Sequence, residues 1–300
     1  MLFQIKEADT ANLAIWQDIS YRIEIRKESV TVQATQESGV RPRYPLHSLL
    51  YARGQKVFHI AAEIEDVPGS LNSVLELVSG QIDLQNTISF SHDKGMASWR
   101  AFARAVDAST TVEGLRSRIQ KSPFVRAVEV AEGKDGLVVN KTTSGPSLGP
   151  GEPLIVMSVA GMNSVFNQVA KVFGSGGEAI LYGEGHSLGL ANGSYLKEYL
   201  GSGLVKHELD DLAGLYGSFG WGIVEMSYDD HGNYVTAQVR DCFECLSDEV
   251  LEMRCNFFLG HFKGIVSTLL GVDLAGSETR CRKRGNEFCQ FELRKPALAD

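Results

Sequence analysis

The sequence predicts an α+β protein made of two folded units, and three observations carry that reading. Residues 57–130 alternate strand-like and helix-like periodicity in the order βαββαβ, the split βαβ arrangement of a ferredoxin-like sandwich. The run Thr142-Thr143-Ser144-Gly145-Pro146-Ser147-Leu148-Gly149-Pro150-Gly151 has almost nothing to bury and reads as an exposed linker. Beyond it lies a different pattern: helical segments, an antiparallel strand pair, a long apolar helical run, and all the cysteines. The expected divisions are a β-rich segment and linker at 1–55, a first unit at 56–132, a linker at 133–153 and a second unit at 154–295.

Residues 15–25 and 30–34 alternate apolar and polar side chains and read as two strands paired across Arg26-Lys27-Glu28-Ser29. Residues 35–45 carry Gly39, Pro42 and Pro45 and read as a loop. Residues 57–64 are a strand. Asp66-Val67-Pro68-Gly69-Ser70-Leu71 turns into a helix over 71–78, whose Leu71, Val74, Leu75 and Val78 share one face. Strands over 82–90 and 99–106, a helix over 112–119 and a strand over 124–130 complete the first unit.

In the second unit, residues 164–173 predict a helix with Val165, Phe166, Val169, Val172 and Phe173 as its apolar face. Residues 179–182 read as a short buried piece. Gly183-Glu184-Gly185-His186-Ser187-Leu188-Gly189 has neither the Lys-Ser/Thr ending of a P-loop nor the GxGxxG spacing, so it is not a phosphate loop. Residues 195–200 and 205–216 read as helical. Residues 221–228 and 234–240 are strands around Asp229-Asp230-His231-Gly232-Asn233, a strong hairpin signal. A long apolar helix is expected over 248–270, buried on most of its surface, and a last strand over 288–293.

Chemistry concentrates at the C-terminal end. Cys281 and Cys289 flank Arg284-Gly285-Asn286, where Gly285 and Asn286 tolerate positive φ and let the segment fold back. Glu278 precedes Cys281 by three residues, and Cys255 lies in the apolar run upstream. Three thiols and a carboxylate suffice for one tetrahedral zinc. Buried packing is the competing reading of such cysteines. Arg280, Arg282, Lys283 and Arg284 would offset the anionic charge of a thiolate site. Cys242 and Cys245 have the spacing of half a zinc site or a redox pair, and plain packing accounts for them equally. They could also displace Cys255 and Glu278 in a four-cysteine site with Cys281 and Cys289.

Composition sets outer limits. The chain has 300 residues, 43% hydrophobic and 22% charged, with a net charge of −8. That acidic balance argues against general affinity for nucleic acid or anionic membranes. No apolar stretch approaches the ~20 residues that span a bilayer. The first residues, Met1-Leu2-Phe3-Gln4-Ile5-Lys6-Glu7, lack the pattern of a secretory signal. Five cysteines, all after residue 240, fit a reducing cytoplasm better than a disulfide framework.

Two resemblances follow from these residues. The Asp66-Val67-Pro68-Gly69-Ser70-Leu71 turn after a first strand resembles the signature of ACT domains, regulatory modules of βαββαβ fold, over residues 56–132. The resemblance implies a site for an amino acid or other small ligand where the first loop meets the first helix. Asp66, Gly69 and Ser70 would lie there, with amides at a helix N-terminus favouring a carboxylate. Residues 154–295 resemble the 4-vinyl-reductase domain. The marks are the Trp221 strand pair, the apolar helix carrying Cys255, and Glu278-x2-Cys281-x7-Cys289 ending in Cys289-Gln290-Phe291. That resemblance implies zinc held by Cys255, Glu278, Cys281 and Cys289, in a closed and therefore structural site. It also implies an apolar chamber for a small aromatic or hydrophobic molecule. Phe219, Trp221, Phe257, Phe258, His261 and Phe262 would stand near its wall, and His186, His207 or His261 would supply a polar group.

Three functions compete at this level. The first is a cytoplasmic, homodimeric small-molecule sensor without catalysis. The second is an enzyme or accessory in tetrapyrrole metabolism, which the family name suggests. No nicotinamide or flavin fingerprint and no nucleophile–base pair supports it. The third is an assembly adaptor, since the 4-vinyl-reductase fold is related to subunits of vesicle-tethering complexes. The sequence shows no helix-turn-helix with a basic face.

Overall fold

The computed structural model describes the backbone of residues 21–26 and 29–34, and residues 45–92, 95–143, 145–148, 152–200, 206–229, 234–246 and 254–296. The expected strand start at 15–20, the loop at 35–44, the hairpin tip at 230–233 and the expected helix start at 248–253 lie outside the described residues. The chain divides into two compact units, one ending at Pro153 and the other beginning at Leu154.

In the first unit, β1 (Tyr21–Arg26) pairs antiparallel with β2 (Ser29–Ala34). β3 (Leu49–Tyr51) is followed by β4 (Val57–Glu65), α1 (Ser70–Val78), β5 (Ile82–His92) and β6 (Met96–Ala105). Then come α2 (Val112–Ile119), β7 (Val125–Glu132) and β8 (Leu137–Val139). The sheet order β5-β6-β4-β7, all antiparallel, is that of a split βαβ sandwich. Alternation sets the two faces. Phe58, Ile60, Ala62 and Ile64 of β4 and Trp99, Ala101 and Ala103 of β6 meet Val74 and Val78 of α1 and Leu115 and Ile119 of α2 in one core. The hairpin-like pair β3–β8 covers Val57 and Phe102 on the opposite face with Val138, Leu50 and Ala52. Thr111 caps α2 by accepting from Gly114 N–H at 3.1 Å. Gly69, at φ 89°, starts α1 in a conformation that favours glycine.

The second unit is helices against one antiparallel sheet. Its elements are α3 (Val159–Phe173), α4 (Ser175–Leu200), α5 (Lys206–Ser218), β9 (Ile223–Tyr228), β10 (Tyr234–Arg240), α6 (Asn256–Leu270), β11 (Ala275–Arg280) and β12 (Cys289–Arg294). The strand order is β11-β12-β10-β9. No membrane-crossing helix occurs among the described residues.

Three sequence expectations change here. The long apolar helix over 248–270 is not found among the described residues. Instead α6 has 15 residues and begins after Cys255, its N-cap. The short buried piece at 179–182 is part of α4, a single helix of 26 residues. The apolar face expected of the third helix is largely turned outward. Phe166 is buried with Asn163, Asn167 and Ala170, while Val165, Val172 and Phe173 are exposed. The inward asparagines are the reason: Asn163 Nδ2 donates to the carbonyl of Phe243 at 2.8 Å, a bond that periodicity does not foresee.

Helices α4 and α6 cross on glycine. Gly185, Gly189 and Gly193 of α4 stand at four-residue spacing. A Cβ at Gly185 or Gly189 would collide with the carbonyl of Phe257 or His261, and one at Gly193 would lie 2.8 Å from Thr268 Cβ. On α6, a Cβ at Gly260 or Gly264 would meet the carbonyl of Tyr182 or His186. The backbones therefore touch, and α6 is driven into the interior: Asn256 through Phe262 are all buried.

Candidate functional site

The site forms where the N-terminus of α6 meets the β10–β12–β11 edge. Cys289 opens β12 and pairs with Val239 of the central strand β10, so its sulfur is held by the sheet. Glu278 and Cys281 are three residues apart, a spacing that points side chains to opposite faces of a regular strand. A register shift between Glu278 and Arg280 inserts one residue and turns both inward. Gly285, at φ 85°, then reverses the chain and brings Cys289 back beside Cys281. Cys255 caps α6, so its sulfur sits at a helix N-terminus, which favours a thiolate.

The sequence-predicted donors come together. Cys255, Glu278, Cys281 and Cys289 are all buried, with donor atoms within 4.8 Å of one another. Cys242, Cys245, Cys255 and Cys289 satisfy the same criterion. Cys245, in the turn Phe243–Cys245, lies 3.3 Å from Cys255 Sγ, 3.5 Å from Cys289 Sγ and 4.0 Å from Cys281 Sγ. Cys255 is 3.9 Å from both Cys281 and Cys289. Four sulfurs bound about 2.3 Å from one ion stand about 3.8 Å apart, so these spacings fit a tetrahedral metal. The backbone N–H of Arg282 donates to Cys289 Sγ at 3.4 Å, and Cys242 Sγ donates to Cys255 Sγ at 3.9 Å. Plain packing, one sequence reading of Cys242 and Cys245, does not describe this convergence.

Two buried carboxylates support the same helix end. Glu278 Oε2 accepts from Cys255 N–H at 3.1 Å, and Glu244 Oε1 accepts from Phe258 N–H at 2.6 Å. Burial pushes both up to about 8. Glu278 Oε1 is buried without a partner. Sequence reasoning missed Glu244. Its position between two cysteines carried no sign that it would cap the next helix.

The expected wall residues also meet. Trp221 lies before β9 rather than within it. Its ring is 4.3 Å from His261 and 5.9 Å from both Phe257 and Phe258. Phe258 stacks on Phe291 of β12 at 4.6 Å, which links the ring cluster to the strand that carries Cys289. Phe262 is fully buried and Phe219 is exposed. His186 lies on α4 stacked beside Tyr182, away from the His261 ring contacts, and the side chain of His207 is outside the described residues.

His261 is the polar element inside these rings. Asn192 Nδ2 donates to its Nε2 at 3.0 Å, so Nδ1–H donates to the Tyr216 hydroxyl at 2.9 Å. Neither Asn192 nor Tyr216 was singled out in the sequence, because isolated polar residues on helices give no spacing signal. One open groove lies elsewhere on the unit, lined by Ile223, Glu225, Gln238, Arg240, Glu287 and Phe288, and shares none of these residues.

Burial holds His261 at about 3 against an ordinary 6.5. The lowered value means that the unfolded chain takes up a proton first. Stability therefore falls as pH drops below about 6.5, by up to about 1.4 kcal/mol per pH unit. Glu244 and Glu278 act in the opposite sense, losing stability as pH rises toward 8, and a paired comparison cancels them. Between pH 6.5 and 5, urea unfolding of the wild type should lose more stability than that of His261→Gln. Equal slopes would remove His261 from the buried, neutral role.

In the first unit, Asp66 and Gly69 are exposed and Ser70 is buried. Asp66 N–H donates to the carbonyl of Gly95, and Ser70 N–H to that of Val67. The three stand together at the start of α1.

Residues 235–295 match the family model of the vinyl-4-reductase domain, the domain of the second sequence resemblance. That stretch contains Cys255, Glu278, Cys281 and Cys289. An uncharacterized protein of Methanocaldococcus jannaschii is 29% identical over 104 residues, and the match spans 33% of this chain and 63% of that protein. Among solved structures, the phenol-responsive sensory domain of the transcription activator PoxR, solved with phenol, is 14% identical. It covers 49% of this chain and 79% of that one, with a TM-score of 0.42. The ACT domain of a GTP pyrophosphokinase from Chlorobium tepidum is 17% identical and covers 25% of this chain and 96% of that one, with a TM-score of 0.22. Overlaps of this size identify no ligand for this chain.

Proposed function

We propose that this protein is a small-molecule sensor whose second unit binds an apolar or aromatic molecule bearing one polar group. The observation that carries the reading is the joining of two clusters on one frame. A thiol cluster grips the start of α6, and the Trp221, Phe257, Phe258 ring cluster with its His261–Tyr216–Asn192 network follows within two turns of the same helix. The rings offer apolar contact and the Tyr216 hydroxyl offers a proton to an oxygen. A zinc in the thiol cluster would supply a structural cross-link and no catalysis. Cys255, Cys281 and Cys289 would hold it together with one further donor.

In this reading the protein is not an enzyme, works in the cytoplasm and pairs with a second copy of itself. The first unit, by its βαββαβ order and the Asp66, Gly69, Ser70 turn, is an ACT-like module for an amino acid. A specific observation favours the adaptor reading beside it: the outward Val165, Val172 and Phe173 of α3 suit contact with another chain.

Native mass spectrometry of the purified full chain tests the proposal. One metal ion per chain and a saturable adduct with phenol or a methylphenol, lost in Trp221→Ala with the metal retained, is the expected result. Turnover that depends on a nicotinamide or flavin would replace the sensor with an enzyme. A chain that binds none of these probes, yet carries a stable protein partner, would favour the adaptor.

A further inference from the structure

Five thiols and one carboxylate converge on a site that needs four donors, and the distances discriminate among them. We propose that the ion is held by Cys245, Cys255, Cys281 and Cys289, and that Glu278 is a positioning residue outside the coordination sphere. This rests on the metal reading above and departs from the ligand set that the family resemblance implies.

Five edges of the four-sulfur figure run from 3.3 to 4.0 Å, on both sides of the ideal of about 3.8 Å. Cys245 contributes three of them. Were Glu278 the fourth donor, Cys245 would be a fifth sulfur pressed against three bound ones with no vacant tetrahedral position to enter. Glu278 has other employment: its Oε2 accepts the Cys255 N–H and so fixes the backbone of one donor. Cys242 likewise sits behind a donor, its Sγ donating to Cys255 Sγ.

A pair of ions bridged by Cys255 and Cys289 is excluded by the same distances. Bridging would drive the remaining donors of the two ions to opposite ends, whereas Cys245 and Cys281 are 4.0 Å apart. Four thiolates select a soft, tetrahedral ion such as zinc over magnesium or calcium. Their surplus negative charge meets the N-terminus of α6 and the basic turn Arg282–Arg284. Arg282 divides its charge with Asp241, to which it donates at 2.7 Å.

X-ray absorption at the edge of the bound metal, on the full chain as purified, decides the matter without any variant. Four sulfur scatterers at about 2.3 Å are expected. Glu278→Gln and Cys242→Ser should keep all four, and Cys245→Ser should fall to three with one lighter atom. A wild-type shell of three sulfurs and one oxygen, unchanged in Cys245→Ser and altered in Glu278→Gln, overturns the assignment but leaves the metal centre standing. Absence of any bound metal from the freshly purified chain overturns the centre itself.

Discussion

Cys289→Ser is expected to remove the hydrogen-exchange protection of α6 and of β10–β12, while peptides from β4 and β6 keep theirs. Cys289 belongs to every donor set that the geometry allows. It is fully buried, so the serine hydroxyl would also be stranded in an apolar place. The expected size comes from comparing two totals. A structural zinc in a small domain contributes about 10–16 kcal/mol of apparent binding energy, and a whole domain is stable by about 5–15 kcal/mol. Loss of the ion therefore exceeds what the second unit holds in reserve. A strong chelator should reproduce the effect in the wild type, and added zinc should reverse it. If the chelated chain keeps full protection over residues 256–270, the thiol cluster is packing and no ion supports it.

Gly260→Ala and Gly183→Ala should move stability in opposite directions. Both glycines are helical, and in a free helix each replacement gains up to about 1 kcal/mol. Gly183 has nothing within 4 Å of the position its Cβ would take, so it should show that gain. At Gly260 the added carbon collides with the Tyr182 carbonyl and lies 2.8 Å from His186 N. Both are backbone atoms that no rotamer change can clear. Overpacking of this kind costs about 1–3 kcal/mol and more when two helices must separate. Urea midpoints of the two variants, measured beside the wild type, give the signs. A neutral or stabilised Gly260→Ala would mean that α4 and α6 do not touch at the backbone.

What the residues disclosed depended on whether a local rule governed the outcome. The αβ pattern of 57–132 was legible because each element there obeys its own period and each strand alternates about one buried face. The ends of α6 were not, since they are set by Cys255 and by carboxylates from elsewhere in the chain. α4 was hidden by glycines at 176, 177, 183, 185, 189 and 193, each of which lowers helix propensity. Their four-residue spacing from 185 to 193 was the available signal, and it marks a crossing rather than a loop. Cys255, Glu278, Cys281 and Cys289 could be named from spacing and resemblance. The approach of Cys245 could not, because it depends on where the turn Phe243–Cys245 is carried by Asn163 and Glu244.

The shift between Glu278 and Arg280 has a consequence for how the chain finds its fold. Sliding β12 by a single position against β10 would aim the Cys289 sulfur at the far side of the sheet and offer Gln290 in its stead. Such a mispaired chain could not capture an ion. Metal capture thus works as proofreading: only the correctly aligned strands are locked, and misaligned ones stay free to come apart and try again.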